Sequence, residues 1–124
     1  MGQNAEVNNG TLKIIAKRES VGGKEFTSAR IRTIGNVELD LTKDTLVEAR
    51  IKVPGGGKGI WPAFWLMPSP EVVWPSGGEI DIMEFIGREP NFGHGYIHYG
   101  VQYGDKSDTG GPMRFPEPLY ADYH

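Results

Sequence analysis

Apolar and polar residues alternate along this chain in short runs bounded by turn residues, and the 3.6-residue recurrence of an amphipathic helix is missing between them. The clearest run is Thr45 to Val53, where Val47, Ala49, Ile51 and Val53 share one face and Leu46, Glu48, Arg50 and Lys52 the other. That pattern predicts a half-buried strand. Similar runs predict strands over Thr11 to Arg18, after the turn Asn8-Asn9-Gly10, and over Phe26 to Thr33, Val37 to Leu41 and Tyr96 to Tyr103. Pro54 to Gly59 and Ser107 to Pro118, the latter containing Gly110-Gly111-Pro112, read as loops by composition. With no repeat and no helical crossover between runs, the chain is expected to be all-β, an antiparallel sandwich or barrel.

Composition narrows what such a fold does. Against 16 Asp+Glu stand 13 Lys+Arg, a net charge of −3, so nucleic acid and anionic membrane are not expected partners. No apolar run approaches the roughly 18 residues of a membrane span, and the opening MGQNAEVNNG lacks the basic and apolar parts of a signal peptide. The sequence as given therefore reads as soluble. The absence of Cys removes disulfides, thiolate metal sites and thiol nucleophiles. The 18 Gly and 9 Pro break the chain too often for long helices.

The chemistry concentrates in Gly78-Glu79-Ile80-Asp81-Ile82-Met83-Glu84-Phe85. In a regular strand Glu79 and Asp81 share a face while Glu84, five residues from Glu79, points away. A one-residue bulge at Ile82-Met83 corrects the phase and lines up all three carboxylates. The two Glu Cα atoms are then roughly 13 Å apart, at ~3.3 Å per residue. Side chains leaning together can close that to the ~5 to 5.5 Å carboxyl separation of a retaining glycosidase. Asp81 between them is placed to raise the pKa of one Glu, making an acid and a nucleophile of the pair. The plainer reading is the wet face of an amphipathic strand, but three like charges with no interleaved Lys or Arg weigh against it.

Trp61, Ala63 and Trp65 fall on one face of an extended segment and Trp74 lies just before the acids. These indoles suit either a core or the apolar faces of sugar rings. His98 shares a face with Tyr96 and Gln102 and is in position to bond a substrate hydroxyl or a catalytic carboxylate. Its default is a surface or core role. His94 and His98 lack the helical H-E-x-x-H pattern, so no zinc site is expected. Arg30 lies in an alternating run where ion pairing is the default. Neither a G-x-S-x-G elbow nor a phosphate-cradling G-x-x-x-x-G-K-[ST] loop is present.

Four motifs in order, Thr27-Ser28-Ala29-Arg30-Ile31, Glu48-Ala49-Arg50-Ile51-Lys52, Trp61-Pro62-Ala63-Phe64-Trp65 and Gly78 to Glu84, resemble glycoside hydrolase family 16. The Glu-x-Asp-x-x-Glu form resembles its bulged branch of laminarinases, agarases and carrageenases, and especially the laminarinase-like endo-1,3-beta-glucanases. The resemblance implies a jelly-roll, concanavalin A-like antiparallel beta-sandwich that cleaves beta-linked polysaccharide with retention, outside or at the surface of the cell. It implies Glu79 as nucleophile, Asp81 as the residue tuning the pair and Glu84 as acid/base, with Trp61, Trp65, Trp74, Arg30 and His98 toward substrate. No catalytic cofactor is implied; a structural calcium ion fits the family, with no ligands identified here. The family domain is longer, so residues 1–124 are expected to be a partial catalytic domain, lacking the opening strand and the C-terminal half and leaving sheet edges and one inner face uncovered. Alternatives are a glucan-binding module without turnover, a galactan-acting or glycan-transferring relative, and an inactive incomplete domain.

Overall fold

Eight short strands and a single 3-10 turn realise the alternating pattern in a computed structural model that describes residues 4–40 and 42–124. The chain divides into two compact units, Met1–Glu38 and Leu39–His124.

The first unit is two hairpins. Strands β1 (Ala5–Asn8) and β2 (Thr11–Ile14) pair antiparallel from Ala5↔Ile14 to Asn8↔Thr11. Their two-residue loop, Asn9-Gly10, has φ of 50° and 73°, the left-handed pair that matches the twist of a hairpin. Strands β3 (Lys17–Val21) and β4 (Lys24–Thr27) repeat the device. The expected strand over Thr11 to Arg18 is thus divided. Its residues change partner at Ile15-Ala16, with Ile14 opposite Ala5 and Lys17 opposite Thr27. The Asn4 side chain ties the two hairpins by donating to the Ile15 carbonyl and the Thr27 hydroxyl, each at 2.9 Å. The run expected over Phe26 to Thr33 is strand only to Thr27. That expected over Val37 to Leu41 follows a turn in which Asn36 and Val37 donate to the Thr33 carbonyl, with no strand at 37–40 and Leu41 outside the described residues.

The second unit carries one antiparallel sheet in the order β5-β6-β7-β8: β5 Ala63–Leu66, β6 Glu79–Phe85, β7 Phe92–Gly100 and β8 Lys106–Arg114. One face carries the core. Phe85, wholly buried at 0% exposure, packs with Val53 and Leu119, and Ile51, Ile60, Met83, Phe115 and Tyr120 surround them.

Two expectations are corrected here. Thr45 to Val53 is not a strand, although Val47 and Ile51 are half-buried and Val53 is buried. Alternation reports which side chains turn inward; a ladder needs a neighbouring backbone, and Ile51 exchanges both bonds with His124 alone, at 2.9 and 3.0 Å. Conversely, Ser107 to Pro118 is strand as far as Arg114. Proline tolerates this because β8 is an edge strand with one neighbour, so the missing N–H of Pro112 need not break a two-sided ladder.

The core is small enough to test by truncation. Phe85→Ala should cost about 3–5 kcal/mol, against about 1 kcal/mol or less for Ile97→Ala, which is 44% exposed on the same sheet. Denaturant unfolding followed by Trp fluorescence checks the ordering.

Candidate active site

The expected bulge is present, and both neighbouring strands record it. On the β7 side Asp81 pairs with Tyr96 and Glu84 with His94, so three steps on β6 oppose two on β7. On the β5 side Phe64 pairs with Met83 and Trp65 with Asp81, skipping Ile82. Glu79, Asp81 and Glu84 therefore share the face opposite Phe85.

These acids line a cavity of about 430 Å³ with Trp61, Trp74, Tyr96, His98 and Asp108. Trp61 reaches it because the pairing of β5 continues backward through Phe85 to Pro62 and Gly87 to Ile60, at 3.0 and 2.9 Å. Ile60 packs against the core, which turns its neighbour Trp61 to the acid face. Its indole donates to Glu84 Oε1 at 2.9 Å, while 70% of the residue stays exposed. Trp74, at the other end, donates to Glu79 Oε2 at 2.5 Å. Each terminal carboxylate is thus held by one indole N–H, a charge-assisted bond that fixes its orientation. The sequence leaves these indoles between a core role and a stacking surface for sugar. In the structure the N–H groups of Trp61 and Trp74 hold the carboxylates, and the exposed face of Trp61 leaves room for stacking.

Asp81 is 5% exposed and, among the described residues, shares burial of a polar side chain with His94. Burial foremost, then the charges of Glu79 and Glu84, push its carboxyl up to about 6, against a hydrogen bond from His98 that pulls it down. Crowding three acids on one face therefore places a raised pKa on the central Asp. His98 Nε2 lies 2.9 Å from Asp81 Oδ2, and its Nδ1 meets Asp108. Burial lowers the His98 pKa, but the bonds to Asp108 and Asp81 outweigh it and the net shift is upward.

The remaining sequence candidates of the second unit do not line this cavity. Trp65, opposite Asp81 in register, is half-buried and does not line the cavity. Arg30 belongs to the first unit, where it is exposed. Gln102 lies past the end of β7 and is exposed. His94 faces Glu84 across the strands, is buried, and stacks on Tyr96 with rings 6.5 Å apart. The sequence reading missed Asp108, which stood in a segment read as loop, and gave Tyr96 no role of its own; its pairing opposite Asp81 is the signal that places it. Among the described residues no group of three or more His, Asp or Glu is arranged to hold a metal ion, so no ligand set emerges for the calcium that the resemblance allows.

The sequence profile described as XgeA-like, catalytic GH16 domain matches residues 4–100. The chain belongs to glycoside hydrolase family 16. It is 40% identical over 131 residues to a glucan endo-1,3-beta-glucosidase of Cryptopygus antarcticus, covering 99% of this chain and 46% of that protein. It is 37% identical over 129 residues to a beta-glucanase of Rhodothermus marinus, covering 98% and 43%. The structure of an endo-beta-1,3-glucanase from Pyrococcus furiosus superposes with a TM-score of 0.79 at 36% identity, covering 100% of this chain and 49% of that one. The chain thus spans about half the length of these three relatives. Its all-β, antiparallel strands are those of the family's jelly-roll, and glycosidases of the family need no catalytic cofactor.

The raised Asp81 carboxyl links stability to pH. A folded pKa of about 6 against an ordinary 3.8 means that the native state binds the proton more tightly. The stabilisation is complete below about pH 4 and is lost as pH rises through 6. His98, also raised, acts in the same direction. Asp81→Asn should therefore gain stability relative to the parent between pH 4 and pH 8, by up to about 3 kcal/mol. Paired thermal melts across that range read the difference.

Proposed function

We propose that residues 1–124 are the part of a retaining endo-glycosidase domain that carries its catalytic strand, and that it cleaves internal beta-1,3 bonds of laminarin-like glucans. The observation that carries this reading is the bulged strand β6, which gathers Glu79, Asp81 and Glu84 into one cleft between two indoles. A binding module has no need of an acid and a nucleophile on one strand.

In the first displacement Glu84 protonates the glycosidic oxygen while a Glu79 oxygen attacks the anomeric carbon, and the aglycone leaves with that proton. In the second, Glu84 takes a proton from water, the water oxygen attacks the same carbon, and Glu79 departs as carboxylate. Two inversions give net retention. Trp74 supports the Glu79 step by holding one carboxylate oxygen in place, and Trp61 does the same for Glu84. The exposed indole face of Trp61 offers a flat apolar surface to the C–H face of a sugar ring. A polymeric substrate too large to enter a cell makes secretion or surface display the matching location.

Reducing-sugar release from laminarin, with mixed-linkage glucan and agarose in parallel, tests the reading. Laminarin should be cut, with the β-anomer appearing first by proton NMR. Glu84→Gln should lower the rate about 10²- to 10⁴-fold, and Glu79→Gln should reduce it to background. Release from agarose alone would move the substrate to galactans. No release from any polymer by a folded chain would leave glucan binding as the function.

A further inference from the structure

Strand β8 delivers a group to the cleft that the double displacement does not use. Asp108 stands opposite His98 in the β7–β8 register, and His98 stands opposite Glu79 in the β6–β7 register. The imidazole thus lies between two carboxylates: Nε2 is 2.9 Å from Asp81 Oδ2, and Nδ1 is hydrogen-bonded with Asp108 Oδ1. Lys106 donates to the second oxygen of Asp108, closing a chain Lys106–Asp108–His98–Asp81 that runs from the rim to the middle of the acid face. The side chains become less exposed along it, from 37% at Asp108 to 19% at His98 and 4% at Asp81.

Proton counting makes this arrangement specific. A neutral imidazole has one N–H and one lone pair. Set between two carboxylates, it turns that lone pair on an anion unless a second proton is present. The second proton resides either on the ring, as imidazolium, or on the carboxyl it faces. Asp108 has Lys106 beside it and stands at the rim, which keeps its carboxyl ionised. Asp81 is buried among acids.

Resting on the reading of this cleft as catalytic, we propose that Asp108, braced by Lys106, is a positioning residue of the active site. It fixes one N–H on His98 Nδ1, so that Nε2 is turned on Asp81 and a single proton is held between that nitrogen and the Asp81 carboxyl. With the proton present the Asp81–His98 pair is neutral in sum, and Glu79 and Glu84 flank a neutral pair. Without it a third anion stands between them. The groups that face His98 are Glu79 and Asp81 from β6, Asp108 and Lys106 from β8, Tyr96 stacked on it from its own strand at 6.0 Å, and the Trp74 ring at 5.9 Å. Of these Asp108 alone faces Nδ1 with a charge, which is why an edge strand controls a proton at the centre of the cleft.

Asp108→Asn keeps an acceptor for Nδ1–H and removes the charge, so it separates the proposal from a mere pin between two strands. Ring-nitrogen NMR of His98 across pH 4 to 9 is the primary reading, with amide spectra showing that β7 and β8 still pair. In the parent, Nδ1 keeps its proton throughout and the ring titrates above the ordinary 6.5. In Asp108→Asn the midpoint falls by about one pH unit and both tautomers appear above it. The alkaline limb of kcat/KM on laminarin moves down by the same amount, with KM little changed. A variant titration coincident with the parent's overturns the proposal whatever the chain does to laminarin. A shifted titration with an unmoved rate profile overturns the role in the reaction. If the parent cuts no polymer while the titration shifts, the catalytic reading falls and the placement of His98 by Asp108 stands.

Discussion

A single unpaired residue on β6 sets the relation between core and cleft in the second unit. Without the bulge at Ile82-Met83, strand period two would send Glu84 to the face where Phe85 now sits and Phe85 to the acid face. Both exchanges are costly. A carboxylate would enter the packing around Val53 and Leu119, and a wholly buried aromatic would face water. Core and site therefore demand the same register, and the agreement of the β5 and β7 pairings on where the extra residue lies shows how firmly it is imposed. Gly95 falls opposite the bulge on β7, between the register pairs Asp81↔Tyr96 and Glu84↔His94.

Gathering the acids creates the next constraint. Three carboxylates on one face repel, and the central one is also buried. The neighbours of β6 answer with donors rather than with an ion pair to each acid: an indole N–H for Glu79, another for Glu84, and an imidazole for Asp81. Neutral indole donors orient a carboxylate without cancelling its charge, which suits the roles proposed for Glu79 and Glu84, attack on a carbon and exchange of a proton. The imidazole differs in being able to take up a proton, and it stands at the one acid whose charge is most expensive to maintain.

How much of this the sequence disclosed depends on whether a feature is carried by side-chain phase or by backbone partnership. Phase is largely legible. The spacing of Glu79, Asp81 and Glu84 requires a bulge at Ile82-Met83, which is present, and of the inward set Val47, Ala49, Ile51 and Val53 all but the exposed Ala49 are at least half-buried. Partnership is not legible. Nothing in Thr45 to Val53 states that its reciprocal backbone pairing is with His124, and nothing in Thr11 to Arg18 marks the residue where one hairpin yields to another. The same blindness hid the donors, since an indole that must stack and an indole that must donate are written with the same letter.

The most consequential misreading, that of Ser107 to Pro118, has a physical source worth following to the site. Gly110-Gly111-Pro112 carries every mark of a turn, yet it is the middle of β8. Gly110 has φ of +136°, and a Cβ there would lie 2.1 Å from the Gly95 carbonyl oxygen. Any side chain at that position would push β8 away from β7. Two residues before it stands Asp108, on the same face by strand period, with its partner His98 two residues after Tyr96. The close approach that only glycine permits is therefore what brings the outer carboxylate within reach of the imidazole. A glycine that reads as the end of a strand is here the point of closest contact between β7 and β8, and the electrostatics of the acid face depend on a residue with no side chain at all.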